Sequence, residues 1–218
     1  MFNLFLANLS FWVTFIPVIL YLLFHLKSGD KALRVIFILL IGGILLEFIG
    51  KYTSKIYHNN TFTLNIFTIF ETLLIVYFFF TIYAGNYAKK IALVLGGLFL
   101  SFWLFQQVKN GLNVFDETSL ALEQILIILL SIYYLFEQLR NPESLFVYTN
   151  PRFWVVIAYF LYMSATFFLF LFLMSFSNEE KSKYLILNSL FIIIKIIFLS
   201  VAMFMRTKQP KTKKFHLS

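Results

Sequence analysis

The chain has 218 residues, of which 61% are hydrophobic and only 13% charged, with 18 basic residues against 10 acidic ones and no cysteine. A soluble domain is about 45–50% apolar and about 25% charged. So few charges cannot cover this much apolar surface, and the bilayer must be the solvent for most of it. The missing cysteines exclude disulfides, thiolate metal centres and iron–sulfur clusters. The net charge of +8 does not point to nucleic acid, because the basic residues lie in breaks and in the tail, where membrane topology places them.

Seven apolar segments follow one another: 7–26, 35–54, 62–84, 91–108, 118–137, 153–176 and 184–205. Each approaches the roughly 20 residues that cross a bilayer, and each must be helical, since an isolated strand in lipid leaves its backbone unpaired. The first has no basic n-region and no small-residue cleavage site, which predicts an uncleaved helix. "KSGDKALR" separates segments 1 and 2, "HNNT" precedes segment 3, and "GNYAKK" follows it. "KNGLNVFDE" links segments 4 and 5, and "RNPES" ends segment 5. Pro151 suits the first turn of segment 6, where a missing N–H costs little. "SNEEKSK" links segments 6 and 7. The expectation is an all-α seven-helix membrane domain over 1–206 and a basic tail over 207–218.

Lysine and arginine set the orientation. One face carries Lys51, Lys55, Lys109, Lys181 and Lys183. The other carries twelve, from Lys27, Lys31 and Arg34 through Arg152 to Lys214. This bias predicts an outside N-terminus and a cytoplasmic C-terminus in a bacterial inner membrane. "RFW" at 152–154 reads as an interfacial anchor.

Intramembrane acids and bases are functional candidates by default. Here they are Glu47 on segment 2, Glu71 on segment 3, Glu123 on segment 5 and Lys195 on segment 7, supplemented by Asn188, Asn65, Gln106, Gln107, Thr68 and Ser164. At about 1.5 Å per residue, Lys195 lies about 16 Å from the outer end of its segment, Glu71 about 14 Å, Glu47 about 11 Å and Glu123 only about 8 Å. The first three are therefore expected near the midplane, with Glu123 at the outer rim. Asn188 and Lys195, seven apart, share a helix face. Glu47 shares a stripe with Gly43, Gly50 and Ser54, which predicts close helix approach and an inward Glu47. An unpaired ammonium at this depth costs at least about 2.5–3.5 kcal/mol. Lys195 is therefore expected to pair with Glu71, and with Glu47 as a possible second partner. Three acids against one base leave at least one carboxyl holding its proton.

No cofactor is expected. His25, His58 and His216 fall outside the mid-membrane region, and no serine-hydrolase, HExxH or aspartate-rich phosphotransfer motif is present. The membrane lysoplasmalogenases have a similar length and helix number, but their paired aspartates are missing: Asp30 and Asp116 fall in loops.

Seven helices, an outside N-terminus and a lysine on the last helix resemble the retinal-binding rhodopsins. The resemblance casts Lys195 as the Schiff-base lysine and Glu71 as its counterion. The chain departs from microbial rhodopsins at Phe191, where they carry an Asp, and in lacking a proline within segment 6 beyond Pro151. Over nearly its whole length it also resembles small multi-pass bacterial membrane proteins with no assigned activity. "IYHNN" (56–60), "FTIFETLL" (67–74), "LEQILI" (122–127), "NPRFWVV" (150–156) and "LNSLFIIIKIIF" (187–198) carry that likeness. It singles out Glu71, Glu123, Asn188 and Lys195.

The resulting expectation is a membrane sensor, or a ligand-binding subunit serving a separate signalling partner, with a polar pocket in the outer half of the bundle. A small transporter or proton-coupled carrier is the alternative, and a membrane enzyme acting on lipid ranks third. The expected partners are the lipid bilayer and a membrane signalling protein, with no nucleic acid; the oligomeric state stays open.

Overall fold

The computed structural model describes residues 2–26, 29–114, 116–140, 147–173 and 178–205. The basic tail, 207–218, lies outside the described residues, as do 141–146 of the break after segment 5. Among the described residues the chain is all-helical. The helices are α1 Phe2–Val13, α2 Phe15–Phe24, α3 Lys31–Tyr57, α4 Thr61–Ile82, α5 Asn86–Asn110, α6 Glu117–Arg140, α7 Pro151–Leu173 and α8 Asn178–Phe204. Six, α3 to α8, are long and apolar enough to cross a membrane, and Asn8–Phe24 is a shorter apolar stretch.

That shorter stretch corrects the expectation of one unbroken helix over 7–26. Pro17 has no N–H to give the Val13 carbonyl, and its ring crowds that carbonyl. The chain breaks there. The Thr14 amide turns to the Phe11 carbonyl at 3.2 Å, and its hydroxyl donates to the Ser10 carbonyl at 3.0 Å.

Carboxylates hold the starts of three other helices. Asp30 precedes α3 and accepts from the Ala32 and Leu33 amides at 2.9 and 3.4 Å. The same carboxylate takes Arg152 Nη2 at 3.2 Å, which ties the start of α7 to the start of α3. Arg152 is thus a clasp between helices as well as the expected anchor. Asp116 caps α6 through the Ser119 amide at 3.0 Å. A third carboxylate, Glu137 of α6, accepts from the Ala84 and Gly85 amides at 3.4 Å, just before α5.

The helices close into a ring. α8 packs on α1, α2 and α7; α7 on α6; α6 on α4; α4 on α3; and α3 on α2. α5 stands outside the ring, against α4 and α6. Gly96 lets α5 approach closely, since a Cβ there would lie 2.9 Å from Val76 Cγ1. Gly42 does the same for α3, because a Cβ would run into the Phe70 ring of α4. A Cβ built on Gly43 or Gly50 also meets α4, at Phe67 and Thr63, at 3.4 and 3.5 Å. The small-residue stripe of α3 therefore faces a neighbouring helix, as its spacing predicts.

Candidate functional site

α4, α6, α7 and α8 each send a polar side chain into the ring. Glu71 of α4 is 4% exposed and Glu123 of α6 only 1%. Lys195 of α8 has an 11% exposed side chain, and its Nζ stands 3.7 Å from Glu71 Oε1. The same ammonium lies 3.9 Å from the centre of the Tyr162 ring and 5.3 Å from that of Tyr159, both on α7. The aromatic faces supply cation–π attraction to a charge that has left water. Thr72 Oγ1 of α4 sits 2.7 Å from Glu123 Oε1 and 2.9 Å from the carbonyl oxygen of Thr68. Beside Glu123, Gln124 Nε2 donates to Thr166 Oγ1 of α7 at 3.3 Å.

The structure thus brings Glu71, Lys195 and Glu123 together. Glu123 was expected at the rim, and the correction has a local cause. Asn65 Nδ2 donates to the carbonyls of Leu112 and Val114, both at 2.9 Å. This pulls the α5–α6 connection down beside the second turn of α4. α6 therefore starts about 6 Å deeper than α4 does, at 1.5 Å per residue. Glu123, six residues into α6, then stands about 15 Å below the start of α4, level with Glu71 and Thr72.

Glu47 is not part of this group. Its side chain is 44% exposed, and its Oε1 pairs with Lys51 Nζ at 3.0 Å, one turn along α3. The Lys51 ammonium also rests 3.6 Å from the centre of the Phe11 ring of α1. The expectation of an inward Glu47 fails because the glycines of its stripe turn toward α4 while Glu47 emerges at the edge of that contact. Asn188 lies on the Lys195 face of α8, two turns away, and its buried Oδ1 has no hydrogen-bond partner. Glu71 Oε1 and Gln124 Oε1 are likewise buried without a hydrogen bond. All three atoms are acceptors.

The sequence reading missed Tyr159, Tyr162, Thr72, Gln124 and Thr166. Tyr159, Tyr162 and Thr166 stand at helical spacing on α7, a signal that could have been read. Among 30 Phe and 12 Tyr it was lost in the aromatic background. Among the described residues no three of His, Asp and Glu gather into a metal site. A lone Lys–Glu–Glu group can exchange charge or protons and can hold a small polar ligand by hydrogen bonds.

Fold and cluster together define the class: a multi-pass helical membrane protein that encloses a charged cluster between four of its helices. No protein family, curated protein or solved structure matches the chain.

Proposed function

We propose that the protein is a membrane sensor or ligand-binding subunit whose ligand engages the Glu71–Lys195–Glu123 cluster. The observation that carries this reading is the cluster's cost. Three ionisable groups from three helices are removed from water where apolar packing would hold the helices together at less expense. The buried Gln124 and Asn188 oxygens without a hydrogen bond support it, since each is satisfied by a donor that a ligand or water brings. The proposal includes seven crossings, with α1 and α2 together forming the first. Both pack along α8, which is itself long enough to cross. It also includes an outside N-terminus in an inner membrane, on the strength of the lysine and arginine bias.

Complementation tests the role. A strain lacking the gene is supplied with the Lys195→Met, Glu71→Gln double variant at wild-type membrane levels. Loss of whatever growth phenotype the intact gene restores supports a functional site. Full restoration makes the cluster a structural peg. Topology is tested separately, because the chain has no native cysteine to interfere. Asn59→Cys and Asn113→Cys should react with an impermeant thiol reagent applied outside, and Asn86→Cys should not. The reverse pattern overturns the orientation.

A proton-coupled carrier is the second reading, favoured by a second carboxyl beside one Lys–Glu pair. Purified protein in proteoliposomes separates the two, since a carrier dissipates an imposed proton gradient when its solute is present and a sensor does not.

A further inference from the structure

We infer that the cluster binds a proton, and that it sits on Glu123 Oε1, donated to Thr72 Oγ1. This rests on the reading of the cluster as a binding site and names its ligand. The argument is a count of hydrogens. Thr72 Oγ1 has two close oxygen neighbours, the Thr68 carbonyl at 2.9 Å and Glu123 Oε1 at 2.7 Å. A hydroxyl carries one hydrogen, and a carbonyl oxygen carries none. If Thr72 gives its hydrogen to Thr68, the contact to Glu123 needs a hydrogen from the carboxyl. A protonated carboxyl supplies it, and the chain then runs Glu123 O–H to Thr72 Oγ1, and Thr72 O–H to the Thr68 carbonyl. With an ionised Glu123, the single Thr72 hydrogen would have to serve both acceptors, and the two contacts could not both be full hydrogen bonds.

The charges around Glu123 agree. From α4 it faces Glu71, and from α8 Lys195. From α7 it faces Tyr159 and Tyr162. α5 offers no ionisable residue between 91 and 108. Lys195 is already engaged by Glu71 at 3.7 Å. A charge on Glu123 would therefore oppose Glu71, and among the described residues Lys195 is the one cation that acts on it. With the proton in place the cluster is neutral overall: one ammonium, one carboxylate and one carboxylic acid.

Release of the proton changes the pairing. The Thr72 hydroxyl turns from Thr68 to the new carboxylate, and Lys195 becomes shared between Glu71 and Glu123. α4, α6 and α8 all carry a group whose partner changes, so the protonation state of one oxygen is linked to the packing of three helices.

Infrared spectroscopy of the full chain in lipid nanodiscs at neutral pH reads this directly. The wild type should show the C=O band of a protonated carboxylic acid, shifted down in D2O. Glu123→Gln should remove the band and Glu71→Gln should leave it. Thr72→Val, which keeps the shape and removes the acceptor, should move the band to higher frequency, and Thr72→Ser should restore its position. The Thr72 pair decides the matter even where Glu123→Gln fails to fold. No band in the wild type, a band lost in Glu71→Gln but kept in Glu123→Gln, or a band unmoved by Thr72→Val overturns the assignment. Such a result leaves the intramembrane site itself standing, because complementation by the double variant decides that independently.

Discussion

Among the described residues two glutamate–lysine pairs lie within the apolar helices, and they differ in almost every respect that matters. Glu47 and Lys51 are one turn apart on α3, meet at 3.0 Å and keep nearly half of each side chain exposed. Glu71 and Lys195 lie 124 positions apart on two different helices, stand 3.7 Å from each other and are almost wholly enclosed. The shorter distance belongs to the weaker pair. An exposed i,i+4 pair gains little, because both charges ride on one helix at a spacing the helix itself sets, and no second helix depends on their meeting. The enclosed pair has given up hydration, so each charge depends on the other. Burial, more than distance, decides which pair the fold needs.

The largest expected effect is at Lys195. Lys195→Met strands the Glu71 carboxylate and leaves the Tyr162 ring without its cation. It should lower stability by roughly 3–5 kcal/mol, the range for breaking a buried pair. Unfolding in mixed detergent micelles measures it. A loss below about 1 kcal/mol would put the two pairs in one class and remove the contrast.

Next comes the latch that sets the depth of α6. Asn65→Leu removes the donor shared by the Leu112 and Val114 carbonyls and should cost about 1–3 kcal/mol. It should also let α6 rise and slacken the Thr72–Glu123 contact. Hydrogen exchange at the α6 amides around Glu123 should accelerate, while exchange in α3 stays unchanged. Unaltered protection in α6 would show that the latch does not hold the cluster in register.

The smallest effect is at the exposed pair. Glu47→Gln should change stability by less than about 0.5 kcal/mol, as expected for an i,i+4 pair open to its surroundings. A larger loss would mean that Glu47 meets something beyond Lys51, such as a neighbouring protein in the membrane.

Much of the architecture is legible from the residues alone. Apolar length and charged breaks mark the helices, and the pairing of Lys195 with Glu71 follows from depth and from the expense of a lone ammonium. The small-residue stripe of α3 correctly signals a close neighbour through Gly43 and Gly50. The inward placement of Glu47 does not follow from it, because a stripe gives a direction around one helix but not the width of the contact. The break at Thr14 was readable from Pro17, whose ring and missing N–H act on the preceding turn. Glu123 was misplaced for a different reason. Counting residues from a helix start assumes that all helices start at one level, and the Asn65 side chain violates that assumption through two bonds to a loop 47 and 49 positions away. Long-range hydrogen bonds of a single carboxamide have no periodicity to betray them. Tyr162 was hidden for the opposite reason, as one ring in a chain that is 21% aromatic.

A double-mutant cycle in one membrane preparation tests the central claim, that Lys195 is held by Glu71 at the heart of the bundle. Stability is measured for the wild type, Lys195→Met, Glu71→Gln and the combination. The double variant should be more stable than Lys195→Met alone, with a coupling energy above about 1 kcal/mol, because removing the second partner relieves the stranded charge. The same cycle between Lys195→Met and Glu47→Gln should give additive effects within about 0.5 kcal/mol. Additivity at Lys195 and Glu71, or strong coupling to Glu47 in its place, would contradict the account.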